Sequence, residues 1–113
     1  MASKRVILEM GMGNDLHGGD YTKAALRAVD DALHHSSLAF VRSLHLDRSR
    51  LHVEVTIGVQ QPGEVDLDRI RAALPIGNVV VKAVKGGLDV TDGQGHDRTV
   101  IASAAIAVRI EMA

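Results

Sequence analysis

The stretch KRVILEMGMGNDLHGGDYTKAALRAVDDALHH, residues 4–35, decides the fold, because it runs from a strand pattern through a glycine-rich loop into a helix pattern. In its first part, apolar residues alternate over residues 4–10, which is typical of a strand with two different faces. The alternation places Val6, Leu8 and Met10 on one face, opposite Glu9. The stretch therefore predicts a strand–loop–helix unit.

The helix predicted over residues 21–35 has a clear start and a clear inner face. Asp20 is a suitable N-cap, because its carboxylate can accept hydrogen bonds from the free backbone N–H groups of the first turn. Ala25, Val29 and Ala32 recur at helical spacing and predict a buried stripe.

The rest of the chain predicts further strands and a second helix. Clean alternation in LHVEVTIGV, residues 51–59, indicates a strand, and a short helix is predicted over residues 66–74. A strand follows over residues 78–85, and residues 99–112 form a long final strand. Residues 38–46 are ambiguous between a strand and a turn of helix.

These elements fit one domain over residues 1–113. Their order, β-α-(β)-β-α-β-β, predicts an α+β two-layer sandwich of the ferredoxin-like or chorismate-mutase-like type. We expect a mostly antiparallel sheet of four to five strands with two helices on one face. The uncovered face is expected to be polar, and to be either solvated or the lining of a ring of subunits. It would carry Glu9, His52, Glu54, Thr56 and Ser103.

Composition narrows the possible partners. The net charge is −1 and aromatic residues make up 2% of the chain, so neither nucleic-acid binding nor base stacking is favoured. No apolar run reaches the roughly 18 residues that a membrane helix needs, and the N-terminus is too short and polar for a signal peptide. We expect a cytoplasmic protein without a membrane partner. Its light aliphatic core favours burial against other copies, as a homo-oligomer.

The glycine-rich loop is where chemistry is expected. Asp15 and His17 are two residues apart, so an extended backbone places both side chains on one side. The chain has no Cys, and a carboxylate with an imidazole is then the usual ligand set for Zn²⁺, Mn²⁺ or Fe²⁺. The alternative is an ordinary loop, in which Asp and Asn side chains cap backbone groups and the histidine is simply exposed.

The same loop predicts a binding site for a small ligand. Its glycines permit positive φ angles and a close approach to the backbone, and the following helix directs its positive N-terminal end there. The predicted ligand-binding residues are Gly11, Gly13, Asn14, Gly18 and Gly19. A nucleotide cofactor is not expected, because Leu16 stands where the dinucleotide fingerprint needs its third glycine.

Two segments, EMGMGNDLHGGDYTKAALRAV at residues 9–29 and PIGNVVVKAVKGG at residues 75–87, carry a family resemblance. The chain resembles the Lin family of conserved hypothetical proteins, named after a Listeria locus, over nearly its whole length. The family signature G-x-G-x-D-x-H-G is matched in full by Gly11, Gly13, Asp15, His17 and Gly18. The resemblance brings no established activity, but it implies that Asp15 and His17 act together.

Two looser similarities point to trimeric assembly. Methylerythritol cyclodiphosphate synthase has the pattern G-x-G-x-D-x-H, in which the Asp and His hold a divalent metal in a trimer; Gly11, Gly13, Asp15 and His17 match it. This chain is much shorter and lacks that enzyme's His-Ser-Asp-Gly-Asp segment. The P-x-G-x-V…GG run is similar to single repeats of ring-opening amidohydrolases, which pack three units around a threefold axis. These similarities imply a trimer or a multiple of it.

Glu9 and His35 are the candidates to complete a catalytic site, as a third ligand or an acid–base group. The plainer interpretation is a solvated Glu near a strand end and a His that favours a helix C-terminus. The functional hypothesis is a metal-dependent hydrolase or lyase acting on a small polar or cyclic substrate, with the loop at a subunit interface. The alternative is a non-catalytic homo-oligomer that binds a small ligand or anion.

Overall fold

The computed structural model describes residues 3–34, 48–74, 77–94 and 97–111, in which two helices accompany five strands. The ambiguous segment at residues 38–46 and the candidate His35 lie outside the described residues. The strands and helices are β1 (Ser3–Asp15), α1 (Tyr21–Leu33), β2 (Leu51–Val59), α2 (Leu67–Ala72), β3 (Asn78–Lys85), β4 (Leu88–Thr91) and β5 (Arg98–Glu111).

The five strands form one mixed sheet in the order β1-β5-β2-β3, with β4 also paired to β5. Strand β5 runs antiparallel to β1, β2 and β4, whereas β2 and β3 run parallel from His52–Asn78 to Val59–Lys85. The prediction of a mostly antiparallel sandwich with the order β-α-(β)-β-α-β-β is therefore wrong. The order is β-α-β-α-β-β-β, and the parallel pair arises because α2 connects β2 to β3, as a crossover between parallel strands requires.

Helix α1 packs on β1 through residues without bulky side chains. A Cβ atom on Gly11 would lie 2.4 Å from the carbonyl oxygen of Ala28, and one on Gly13 would lie 2.3 Å from the Ala28 nitrogen. Ala24, Ala28 and Ala32 on the facing side of α1 are fully buried. The two glycines therefore bring the helix backbone against the strand.

This packing decides which face of β1 is covered. A bulge between Arg5 and Ile7 shifts the strand, and Ile7, Gly11 and Gly13 face the helices. Glu9 lies on that same covered side, half-buried, so its predicted place on the uncovered face is wrong. The alternate residues of β1 point to the uncovered side instead.

The uncovered side, which we call the open face, is more apolar than expected. It carries Leu8, Met10 and Met12 from β1. The predicted polar residues Glu54, Thr56 and Ser103 lie on the same face, on the neighbouring strands β2 and β5. It also carries Val80 and Val84 from β3. The open face is thus a mixed surface with apolar outer strands.

The core lies between the sheet and the two helices. Its largest fully buried side chains are Ile57, Ile70, Ile106, Val29, Val55, Val59, Val100 and Val108. At the sheet edge, the backbone N–H of Met12 donates to the Asp31 carboxylate of α1, at 2.9 Å.

The molecule is elongated, with extents of 56 × 24 × 19 Å. Neither described helix is long and apolar enough to cross a membrane.

Candidate functional site

The predicted loop is shorter than expected, because β1 continues through Asp15 and takes in Gly11 and Gly13. Residues 16–20 connect the end of β1 to the start of α1. Two of the loop's glycines, Gly18 at φ 93° and Gly19 at φ 65°, adopt the left-handed backbone that glycine tolerates best. Asp20 then caps the helix as predicted, because its side chain accepts a hydrogen bond from the Lys23 amide at 3.0 Å. The hydroxyl of Thr99 donates to the Leu16 carbonyl at 2.9 Å, which fixes the loop against β5.

Asp15 is turned into the protein and is only 4% exposed. Its Oδ2 atom accepts a hydrogen bond from the Asp20 amide at 3.0 Å. Its Oδ1 atom lies 3.8 Å from both the Lys23 ammonium and the nearest Arg27 guanidinium nitrogen. The carboxylate therefore ties the end of β1 to the first turns of α1, with two cations balancing its charge.

His17 is turned to solvent, with a side chain that is 82% exposed. Its Nδ1 atom lies 2.5 Å from Oδ2 of Asp97, in the segment before β5. This hydrogen bond to His17 lowers the pKa of the Asp97 carboxyl group. When the neutral ring donates from Nδ1 to Asp97, the lone pair of Nε2 points away from that carboxylate and can accept a proton, a hydrogen bond or a metal ion.

Tyr21, Asp89 and Arg98 lie beside this pair. The Tyr21 hydroxyl donates to Oδ2 of Asp89, and the Arg98 guanidinium lies 5.2 Å from the centre of the Tyr21 ring. Burial, followed by the bond to Asp89, raises the pKa of Tyr21. Oδ1 of Asp89 is buried and has no hydrogen-bond partner among the described residues, so it can accept one from a water molecule or a ligand.

We call the five residues His17, Tyr21, Asp89, Asp97 and Arg98 the loop cluster. Arg98 links its two parts, because it follows Asp97 in the chain and packs over Gly19 as well as over Tyr21. Of this set, only His17 was predicted from the sequence. The other four carry no spacing pattern of their own, and they meet only because β4 and the start of β5 fold against α1.

The other predicted site residues have different surroundings. Asp15 and His17 contact different partners in the structure. The single metal ion that they were expected to share stays a prediction. Across the described ranges, with their gaps, the structure shows no group of three or more His, Asp or Glu side chains placed to hold a metal. Glu9 pairs with Ile106 along the sheet, away from the loop, and the Asn14 carbonyl accepts a hydrogen bond from Arg27 at 2.7 Å.

The predicted ligand-binding glycines divide into two groups. Gly18 and Gly19 have the positive φ angles expected of them and lie beside the loop cluster. Gly11 and Gly13 instead accommodate the backbone of α1. A ligand role for these glycines and for Asn14 stays a prediction.

The fold and the loop cluster define an α+β protein with one mixed sheet, helices on one face and a polar cluster at the end of β1. A solved structure of a protein from Nostoc punctiforme, described as FtsZ-like and of unknown function, is similar to the chain at 36% identity. That similarity has a TM-score of 0.83 and covers 99% of each chain. No curated protein matches the sequence. A family model of conserved hypothetical proteins, Lin0512_fam, matches residues 5–108, and the chain belongs to this family, as the sequence resemblance predicted.

Proposed function

We propose that this protein is a homo-oligomer that binds a small polar ligand at the loop cluster without a catalytic step. The observation that carries the proposal is the His17–Asp97 pair, with 2.5 Å between Nδ1 and the carboxylate oxygen. A carboxylate at one ring nitrogen fixes the orientation and tautomer of a histidine. The opposite nitrogen is then set to recognise a ligand that donates a hydrogen bond. A cytoplasmic location and a homo-oligomeric assembly are part of this proposal.

The surroundings of His17 support a ligand that also has acceptor groups. Gly18 and Gly19 place backbone beside the imidazole without side chains, and the Arg98 guanidinium lies against Gly19. Arg98 can donate to a carboxylate or phosphate group while its guanidinium stays over the Tyr21 ring. A small polar molecule with a donor near His17 and an acceptor near Arg98 fits these groups.

A metal-dependent hydrolase or lyase is the second candidate, and the same pair favours it for a different reason. Histidines that bind metals commonly donate their other ring N–H to a carboxylate, as His17 does to Asp97. In this version His17 would hold Zn²⁺, Mn²⁺ or Fe²⁺ through Nε2, with Asp97 behind it. Bound metal supplies Lewis-acid chemistry. Of the predicted acid–base groups, Glu9 lies on the covered side of β1 away from the loop cluster and does not fit this candidate, and His35 lies outside the described residues.

Nuclear magnetic resonance titrations of the ¹⁵N-labelled protein test both candidates. The probes are Zn²⁺, Mn²⁺ and a panel of small polar compounds that carry a donor and an anionic group. We expect shifts centred on His17 that disappear in His17→Gln. If Zn²⁺ is the ligand, Asp97→Asn weakens its binding by about tenfold or more, because the orienting carboxylate is lost.

His34 offers a matched control, because its Nδ1 is held by the Asp30 carbonyl at 2.6 Å and its side chain is similarly exposed. His34→Gln should leave all binding at the loop cluster unchanged. Ligand binding that survives His17→Gln would contradict both candidates. Binding of a compound that needs no metal supports the first candidate, and stoichiometric metal at His17 supports the second.

A further inference from the structure

The open face has exposed apolar side chains along both of its outer strands. On β1 these are Leu8, Met10 and Met12, which are 43%, 66% and 64% exposed. On β3 they are Val80 and Val84, at 64% and 43%. Soluble monomers rarely leave apolar side chains in a continuous group of this kind, and such groups mark interaction surfaces.

The strand registers arrange this surface in rows across the sheet. Read from β1 through β5 and β2 to β3, the rows are Met12–Ser103–Gly58–Val84, Met10–Ala105–Thr56–Lys82 and Leu8–Ala107–Glu54–Val80. Small side chains occupy most of the middle, and larger ones stand on the two sides. A depression of about 640 Å³, lined by Met10, Met12, Thr56, Gly58, Val84 and Ser103 among others, lies over this middle.

We infer that the open face binds the open face of a second copy of this chain, around a two-fold axis parallel to the strands. Such an axis reverses the strand order and preserves the rows, so β1 of each copy lies over β3 of the other. Met12 then faces Val84, and Leu8 faces Val80, in both halves of the interface. A two-fold interface needs a self-complementary surface of this kind.

The side chains of the two outer strands suit this arrangement. Methionine is flexible and fills irregular space, so Met10 and Met12 can enter the depression of the facing copy. Lys82 stands in the same row as Met10, so in the dimer it faces Met10 of the other copy. Its aliphatic stem can cover that methionine while its ammonium reaches water. The middle strands of the face also carry two charged residues, Glu54 and Arg109, and these pair with each other at 3.0 Å.

The size of the face agrees with a modest but specific dimer. Four strands of about eight residues, spaced about 4.8 Å apart with a rise of about 3.3 Å, give about 500 Å² on each copy. The sum over two copies is about 1,000 Å², close to the lower end for specific interfaces. Two sheets stacked with their strands nearly aligned also pack well face to face.

This inference rests on the homo-oligomer part of the proposed function and names the surface that forms it. Sedimentation velocity over a concentration series tests it with four proteins: wild type, Met12→Glu, Val84→Lys and the double variant. We expect the wild type to dimerise or to form a larger even-numbered assembly. Each single variant should weaken association by about 100-fold or more, because an unpaired charge is buried.

The double variant should regain association to within about tenfold of wild type, because each new carboxylate faces a new ammonium on the other copy. Within one copy the two positions lie at opposite ends of a row, so they do not pair with each other. Leu16→Glu is the control, since Leu16 is 57% exposed but lies in the loop outside these rows. It should leave association unchanged.

Circular dichroism confirms that each variant folds, which is expected because both positions are exposed in the protomer. A wild type that stays monomeric up to its solubility limit would overturn both the inference and the oligomer in the proposed function. Association that neither single variant weakens, or that the double variant fails to restore, would overturn the inference alone. Met12→Glu and Val84→Lys lie outside the loop cluster, so ligand binding at His17 is tested separately.

Discussion

Gly13 lies where β1 and α1 come closest. A Cβ atom there would be 2.3 Å from the Ala28 nitrogen and 2.5 Å from the Ala24 oxygen, both backbone atoms that cannot rotate away. We expect Gly13→Ala to lower the free energy of unfolding by about 3 kcal/mol, because the helix must shift from the sheet. Urea denaturation measures the change.

Gly63→Ala is the control for that experiment, because a Cβ atom on Gly63 would have no neighbour within 4 Å and its φ angle is not positive. It should change the free energy of unfolding by less than about 0.5 kcal/mol. Equal effects of the two substitutions would show that the close approach of α1 contributes nothing to stability.

The His17–Asp97 pair makes a prediction about pH. The hydrogen bond from His17 lowers the pKa of Asp97 in the folded protein below its ordinary value of about 3.9. The stability from this bond is therefore complete above the ordinary value and is lost as the pH falls through the folded-state pKa. A carboxyl ¹³C titration should give a low pKa for Asp97 that rises towards the ordinary value in His17→Ala. His34→Ala should leave it unchanged, and an unaltered pKa in His17→Ala would contradict the assignment.

At single residues, the sequence pattern predicts the cap and the loop but not the partners. Asp20 and the positive φ angles of Gly18 and Gly19 follow from local chemistry, and the structure has them. The carboxylate partner of His17 is 80 residues away in the chain, so no local spacing could point to it. Asp15 and His17 also point to different surroundings, because β1 ends at Asp15 and the extended backbone that would place both side chains on one side does not reach His17.

Helix α1 is the element whose start can be tested most directly. Asp20→Ala removes the acceptor for the Lys23 amide and should cost about 1 kcal/mol of unfolding free energy. Asp68→Ala is a suitable control, because Asp68 lies in the first turn of α2, is 88% exposed and makes only an exposed ion pair with Arg71. Thermal or urea unfolding of both variants measures the difference, and an unchanged stability in Asp20→Ala would exclude a capping role.

Strand β5 is the centre of the sheet, since it pairs with β1 along one edge and with β2 and β4 along the other. We expect its amides, from Val100 to Val108, to exchange with deuterium most slowly, because they open only with the whole sheet. The amides of β3, which pairs with β2 alone in the described sheet, should exchange faster. Faster exchange in β5 than in β3 would contradict this order.

The elements themselves were largely predictable, but their pairing was not. Alternation locates β2, whereas a run closed by two glycines locates β3 and a long β-rich run with almost no breakers locates β5 in spite of its alanines. Strand β4 has four residues, too few for a periodic signal, and it forms only because β5 extends beyond β2. The face of β1 was assigned wrongly because the bulge after Arg5 and the close approach of α1 to Gly11 and Gly13 depend on the folded chain.

For the whole molecule, dimerisation through the open face predicts a specific change of shape. The protomer is 56 Å long and 19 Å across its thinnest direction. Stacking two sheets face to face, about 10 Å apart, thickens the molecule and leaves its length nearly unchanged. Small-angle X-ray scattering should therefore give a maximum dimension close to that of the protomer, with twice the mass. An end-to-end dimer, with nearly doubled length, would contradict the arrangement.

The hydrogen bond from the Met12 amide to Asp31 has a consequence for aggregation. A strand from another chain that tried to extend the sheet at β1 would need this amide as a donor, and the side chain of α1 already occupies it. The bond therefore hinders another strand from pairing with β1 at this position and extending the sheet as in a fibril. In the proposed dimer, copies therefore meet through the sheet surface instead of the strand edge, so that assembly closes on itself rather than continuing without limit.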